Sequence, residues 1–303
     1  MMMDDAAVAV VTHNMAGSLR DCINSLLNQT VPNFRLIIID DASSDETKEM
    51  INNFSDKRIH YKINEKRLGI AASRNKAFSE LRDEKIIFFI DADCYAAPNW
   101  IKEGLKMFSD NPSVIAVEGL TIYEKTGYRP ALSEKSYHMD LEPGMCHTHN
   151  CAYKVEVFRE IGGFDEENFN YLLEDTDFFY RARKAFPDKE FSICPTMRVV
   201  HQKTLWTIAG FFRDTYKVKY FIRIIKRHGR LDFGAGKLGS FILSPKNFIL
   251  ALFPPAILVY LCGQGRKIGG PYDLLFILLY VIKAYYYRLL VWYYAVKEKI
   301  FVI

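Results

Sequence analysis

Apolar and polar positions along the chain fall into short strand-like runs separated by stretches of helical spacing. Ala6–Thr12 (AAVAVVT) is a continuous apolar run that can form a buried strand. Between Leu19 and Leu27, apolar residues recur at Leu19, Cys22, Ile23, Leu26 and Leu27, the spacing of one helix face. Phe34–Ile39 is again strand-like and ends in Asp40-Asp41, after which Ser43-Ser44-Asp45 can cap a helix running to Phe54. Ile59–Ile63 predicts a third strand, Gly69–Leu81 a third helix, and Ile86–Ile90 (IIFFI) a fourth strand that ends in Asp91. Apolar strands alternating with helices predict an α/β fold, a mostly parallel Rossmann-like sheet flanked by helices.

Polar residues follow three of these strands: Thr12-His13-Asn14, Asp40-Asp41 and Asp91-Ala92-Asp93. Open α/β sheets bind ligands outside the carboxyl ends of their strands, so one pocket can collect all three clusters. Residues Val114–His201 are more mixed. They hold a loop-rich stretch (Tyr123–Pro143), a helix pattern (Val155–Ile161) broken by Gly162-Gly163-Phe164-Asp165, another over Glu174–Phe186, and short strands at Phe191–Ile193 and Arg198–His201.

The last third changes character. Over Trp206–Arg230, the residues Phe212, Tyr216, Tyr220 and Ile224 fall four apart, and Lys217, Lys219, Arg223 and Lys226 add basic charge, as in a helix lying on an anionic membrane. Two apolar segments follow, Phe248–Cys262 and Tyr272–Val296; the first contains Pro254-Pro255, the second Lys283 and Arg288. They can form a hairpin across a bilayer, a re-entrant or interfacial arrangement, or a buried helical subdomain. The net charge of +4 conceals an asymmetry: residues 206–303 carry 15 Lys and Arg against 4 Asp and Glu, a net of +11, which leaves −7 for residues 1–205. This division predicts a catalytic domain over 1–205 and a membrane-associated region over 206–303, with the catalytic domain on the cytoplasmic side. A nucleic-acid arm fits poorly, because the basic residues alternate with long apolar runs. The N-terminus shows no signal-peptide pattern. Without a CxxC spacing, the six cysteines read as thiols rather than a disulfide framework.

Several of these residues can carry chemistry. Asp91 and Asp93, one residue apart at a strand end, can divide work between a ribose hydroxyl and a divalent cation, and Mg2+ or Mn2+ favours few carboxylates plus substrate phosphate oxygens. One of Asp40 and Asp41 can accept from a base N–H or a ribose hydroxyl. Glu174-Asp175-Thr176-Asp177 reads either as dipole-favoured acids at a helix start or as the source of a general base. The spacing of Cys146-His147-Thr148-His149-Asn150-Cys151 is too tight for a zinc site.

Val10-Val11-Thr12-His13-Asn14, Ile39-Asp40-Asp41-Ala42-Ser43-Ser44-Asp45, Arg74-Asn75, Asp91-Ala92-Asp93, Gly162-Gly163-Phe164-Asp165-Glu166 and Glu174-Asp175-Thr176-Asp177 occur in the order seen in family 2 glycosyltransferases. The resemblance covers residues 6–205 and implies the GT-A fold. It implies that Thr12 and His13 meet the nucleotide base, that Asp41 contacts the base with Asp40 in support, and that Arg74 approaches the nucleotide. It further implies that Asp91 lies near ribose and phosphate, that Asp93 and His201 serve the metal, and that Asp175 is the catalytic base with Glu174 beside the acceptor. The activity so implied is inverting, metal-dependent transfer of a sugar from a nucleotide-sugar donor. The acceptor would be a lipid-linked saccharide, a polyprenyl phosphate or a polysaccharide. Two alternatives stand beside it, a sugar nucleotidyltransferase of similar architecture and a non-catalytic membrane scaffold that retains the fold.

Overall fold

A computed structural model describes residues 6–124, 137–138, 145–202, 207–229, 236–238, 241–243 and 270–302. The chain divides into two compact units, one of Met1–Glu124 with Ser136–Gln202, the other of Lys125–Lys135 with Lys203–Ile303.

In the first unit, β1 (Ala6–Thr12), β2 (Arg35–Asp40), β3 (Ile59–Ile63) and β4 (Ile86–Ile90) pair in parallel in the order β3-β2-β1-β4. The helices α1 (Ala16–Leu27), α2 (Thr47–Asn52) and α3 (Ile70–Ser79) connect them. Both sheet faces are covered, which is why β1 and β4 read as unbroken apolar runs. Val8, Val10 and Phe88 share one buried cluster with Leu19 and Ile23 of α1, while Ala7, Ala9 and Phe89 share another with Ala71 and Ala77 of α3.

The far half of the sheet is mixed rather than parallel. Its elements are β5 (Cys94–Ala96), α4 (Trp100–Asp110), β6 (Val114–Tyr123), β7 (Tyr137–His138), β8 (Asn150–Lys154), α5 (Val155–Ile161), α6 (Glu174–Ala185) and β9 (Glu190–His201). The order continues β4-β8-β6-β9-β5, with β7 on β6. β8 runs antiparallel to β4 and β6, β9 parallel to β6, and β5 antiparallel to β9. The two short strands expected at Phe191–Ile193 and Arg198–His201 are parts of β9. Its register against β6 jumps from Cys194 to Arg198, around Pro195, which has no N–H to give the ladder. The loop-rich reading of Tyr123–Pro143 lies largely outside the described residues.

The second unit holds α7 (Ile208–Arg213), a 3-10 turn at Asp214–Lys217, α8 (Val218–His228), α9 (Pro271–Lys297) and a small sheet of β10 (Gly236–Leu238), β11 (Phe241–Leu243) and β12 (Phe301–Val302). The amphipathic stretch is therefore interrupted by the 3-10 turn, while Trp206, Arg230 and the whole of Phe248–Cys262 lie outside the described residues. Val218 and Ile222 of α8 pack on Val291 of α9, and Arg223 and Lys226 both pair with Glu298. α9 is long and apolar enough to cross a membrane, and Leu278, Leu289 and Val296 are exposed along it. Its Lys283 faces protein, donating to the Phe211 carbonyl.

Candidate active site

The loops after β1 and β2 are stitched together. Asp41 N–H donates to the Thr12 carbonyl, His13 Nδ1 donates to the Asp41 carbonyl at 2.9 Å, and Ser44 N–H donates to Asn14 Oδ1. Asn14 and Ala42 take left-handed backbone conformations at the two bends. Asp40 accepts from Ser43 N–H at 2.8 Å and from the Tyr61 hydroxyl at 2.7 Å. Asp45 reaches the first turns of two helices, accepting from Ala16 N–H and Thr47 N–H, and so caps α1 as well as α2. The Thr12 hydroxyl is buried with no hydrogen-bond partner among the described residues.

Asp41 fixes the entry to α3. Its carboxylate accepts from Leu68 N–H at 2.7 Å, Gly69 N–H at 2.9 Å and Asn64 Nδ2 at 2.9 Å. Burial pushes the carboxyl up, but these donors outweigh it and hold the pKa below the ordinary Asp value. Gly69 has φ +99°, and a Cβ there would run into the Asn170 amide, so this bend requires glycine.

Arg74 sits on the buried side of α3. It is 4% exposed. One guanidinium nitrogen donates to Glu174 Oε1, the other to Asp91 Oδ1 at 2.9 Å. Arg74 therefore ties the strand-end Asp91 to the first residue of α6. Burial raises the Glu174 carboxyl, with the Arg74 guanidinium as the chief opposing influence.

Asp93 and His201 meet because β5 pairs with β9 in a register that sets Cys94 opposite His201. His201 Nδ1 lies 3.0 Å from the Gln202 carbonyl, which can only accept, so Nδ1 carries a proton. Nε2 is 3.4 Å from Asp93 Oδ2. Asp93, Cys94 and His201 form a group of potential ligand atoms within 4.8 Å of one another. Mg2+ and Mn2+ favour oxygen over thiolate ligands, so the carboxylate and the imidazole are the suitable donors of this group for such an ion. That pair, with Asp91 close by, fits a hard divalent ion completed by phosphate oxygens.

The acidic cluster at the start of α6 is divided by helix geometry, because neighbouring side chains point about 100° apart. Glu174 turns to Arg74. Asp177, fully buried, pairs with Arg181 at 2.7 Å, and Arg181 also bonds the carbonyls of Ile161 and Gly163. Asp175 is half-buried, and its Oδ2 accepts from Thr148 N–H at 3.3 Å and from the Thr148 hydroxyl at 3.2 Å.

Thr148 belongs to the run Cys146–Cys151, which sequence weighed as a whole and gave no separate role. Glu118, whose Oε1 is 2.7 Å from His147 Nδ1, was not singled out, because a lone acid within the apolar strand β6 belongs to no motif. Asn150 was part of that run and proves structural: its side chain is fully buried between Trp100, Thr121 and the Met197 carbonyl.

Comparison with known proteins gives this geometry a context. The family model Glycosyl transferase family 2 matches residues 7–208. The glucosyl-dolichyl phosphate glucuronosyltransferase of Haloferax volcanii is 27% identical over 175 residues, 52% of this chain and 55% of that protein. The UDP-Glc:alpha-D-GlcNAc-diphosphoundecaprenol beta-1,3-glucosyltransferase WfgD of Escherichia coli is 36% identical over 107 residues, 35% of this chain and 40% of that one. The match thus spans little more than half of these relatives or less. Among solved structures, the mannosyltransferase PcManGT from Pyrobaculum calidifontis, in complex with GDP-Man and Mn2+, has a TM-score of 0.55 at 18% identity, covering 96% of this chain and 84% of its own. TarS 1-349 of S. aureus in complex with UDP-GlcNAc has a TM-score of 0.54 at 16% identity, covering 84% and 73%. Both likenesses concern the fold.

Proposed function

Because the chain belongs to glycosyl transferase family 2, we propose that it moves a hexose-type sugar from a nucleotide-sugar donor to a lipid-linked or polysaccharide acceptor, with inversion at the anomeric carbon. The observation that carries this reading is that Arg74 ties Asp91 at the end of β4 to Glu174 beside Asp175 at the start of α6, while Asp93, two residues beyond Asp91, meets His201. The donor class is supported by the nucleotide sugars in the structural neighbours' titles, and the acceptor class by the relatives' names, which mention dolichyl phosphate and diphosphoundecaprenol.

Thr12 and His13 line the base end of the site, whose shape Asp40 and Asp41 hold through their loop contacts. Asp93 and His201 would hold Mg2+ or Mn2+, with Asp91 beside them; the ion, when bound, neutralises charge on the diphosphate leaving group. Asp175 takes the proton of the acceptor hydroxyl, whose oxygen bonds the anomeric carbon on the face opposite the breaking bond to phosphate. Thr148 keeps that carboxylate aimed. Arg74 keeps Asp91 and α6 in fixed relation, so the donor end and the base are placed together.

The catalytic domain comprises residues 1–205, and residues 206–303 associate with a membrane and leave that domain on the cytoplasmic side. The apolar length of α9 supports the membrane association. Incubating the purified full-length chain with a panel of nucleotide sugars and Mn2+ tests the function. Release of one nucleoside diphosphate is expected, and no binding or turnover of any member would refute it.

A further inference from the structure

The strand ends opposite the candidate active site frame a cavity of about 880 Å³. It lies where β2 and β3 begin, and Glu84, in the loop before β4, closes one side. β2 runs from Arg35, in this cavity, to Asp40, at the candidate active site, about 17 Å away along a strand of 6 residues. No residue assigned to the proposed chemistry lines the cavity.

The carboxylates of its wall are engaged within the fold. Both oxygens of Asp56 accept from Arg58, whose guanidinium also reaches the carbonyls of Leu27 and Pro32. Glu84 accepts from Arg35 Nη1 at 3.0 Å and from Arg82 N–H at 2.6 Å. The charged groups that stay open are donors. Arg35 Nη1 is held by Glu84 and the Glu80 carbonyl, and Nε is enclosed without a partner, so Nη2 is the nitrogen left to the cavity. Lys57 and His60 line the same space, and neither side chain bonds a described residue. Arg35 and His60 project from one face of the sheet, because His60 stands opposite Ile37, two residues along from Arg35.

Three cations, Arg35, Lys57 and Arg58, face two carboxylates, Asp56 and Glu84, so the lining is net positive. Burial holds the His60 imidazole below its ordinary pKa; the Arg35 and Arg82 guanidiniums add to this, against weaker pulls from Glu84 and Glu80. An anion among these groups relieves that repulsion. Three donors of different reach, approaching from separate points on the chain, suit a tetrahedral oxyanion better than a flat carboxylate. The volume exceeds that of a bare ion and falls within the range of small-molecule sites, about 300–1,000 Å³, which leaves room for an organic remainder.

We propose that this cavity is a second ligand site, which binds a phosphate monoester through Arg35, Lys57 and His60. The site stands apart from the nucleotide-sugar reading and does not depend on it.

Calorimetry of the full-length chain in neutral detergent, at fixed ionic strength and in excess chelator, tests this with inorganic phosphate and glycerol 3-phosphate as probes. Saturable binding of both is expected, and glycerol should not bind. Lys57→Ala and His60→Leu should each weaken it about tenfold, the scale of a lost bond to a charged group. Asp93→Asn, at the candidate metal site, should leave it unchanged. Arg35→Met should act like the other two; should it fail to fold because Glu84 loses its partner, Lys57→Ala and His60→Leu decide. Displacement of glycerol 3-phosphate by nanodiscs containing phosphatidic acid, and not by phosphatidylcholine nanodiscs, assigns the phosphate to a lipid headgroup; no displacement assigns it to a soluble ligand. A wild type that binds neither probe at about 10 mM overturns the inference. So does binding that survives Lys57→Ala and His60→Leu, or binding lost in Asp93→Asn, which would place the phosphate in the candidate active site.

Discussion

Arg74 and Glu174 form a salt bridge in which neither side chain is more than 5% exposed. They are 100 residues apart in the chain, and the bond joins α3 to the first turn of α6. Removing one partner of such a pair leaves the other buried and uncompensated, a cost of about 3–5 kcal/mol. Arg74→Ala should therefore lower thermal stability strongly. Arg74→Met combined with Glu174→Met should cost less than the sum of the single changes. Thermal denaturation of the wild type, the two single methionine variants and the double variant measures this coupling, and strict additivity would mean that the two side chains are energetically independent.

Asp175→Asn should leave nucleoside diphosphate affinity nearly unchanged and slow transfer by about 100-fold or more, the scale of losing a positioned general base. Thr148→Val should produce a smaller loss in the same direction, because it removes one of the two donors that aim the carboxylate. Titration with diphosphate alongside single-turnover rates separates the two effects. Collapse of binding with intact turnover of bound donor would make Asp175 a binding residue instead.

Chelation should abolish transfer, and Mg2+ or Mn2+ should restore it. Asp93→Asn and His201→Ala should each weaken Mn2+ affinity in the presence of diphosphate by about tenfold or more. Manganese titration followed by electron paramagnetic resonance gives a readout independent of turnover. Full activity in excess chelator would remove the metal from the reaction.

The hydrogen bonds around Asp41 hold its carboxyl below the usual Asp value in the folded chain. The stability it contributes is thus present above the unfolded value of about 4 and is lost as pH falls through the lower folded value. Asp41→Asn should lower stability at neutral pH and flatten the acid limb of the stability profile below about pH 4. Denaturant midpoints between pH 7 and pH 3 test this, and an unchanged acid slope would place the titration elsewhere.

The full-length chain should sediment with membranes and resist extraction by high salt. The basic residues of α8 offer attraction that salt screens, whereas the exposed apolar side chains of α9 offer burial that it does not. Complete release by salt would leave only a peripheral attachment.

Much of this architecture is legible in sequence because two-sided burial leaves a plain signature. The unbroken apolar runs of β1, β2 and β4 could be read directly, as could the acids that follow β2 and β4. The mixed half of the sheet was harder. β8 is an antiparallel strand of five residues between two others, and nothing in NCAYK declares its direction. Helix α4 was passed over although Trp100, Ile101, Gly104 and Phe108 mark its buried face at helical spacing. For Arg74, sequence shows neither its burial nor its partners, because Glu174 arrives from 100 residues further along the chain. The cluster at 174–177 read as one acidic feature because sequence does not show which way each carboxylate turns.

The five described cysteines, Cys22, Cys94, Cys146, Cys151 and Cys194, are all buried and none is in a disulfide. Burial also pushes the thiols of Cys22, Cys94 and Cys151 upward, so little thiolate forms while the fold stays closed. The sheet therefore carries its own unfolding clock. Alkylation at these positions waits for the surrounding structure to open, and its rate at each cysteine reports which part of the catalytic unit opens first.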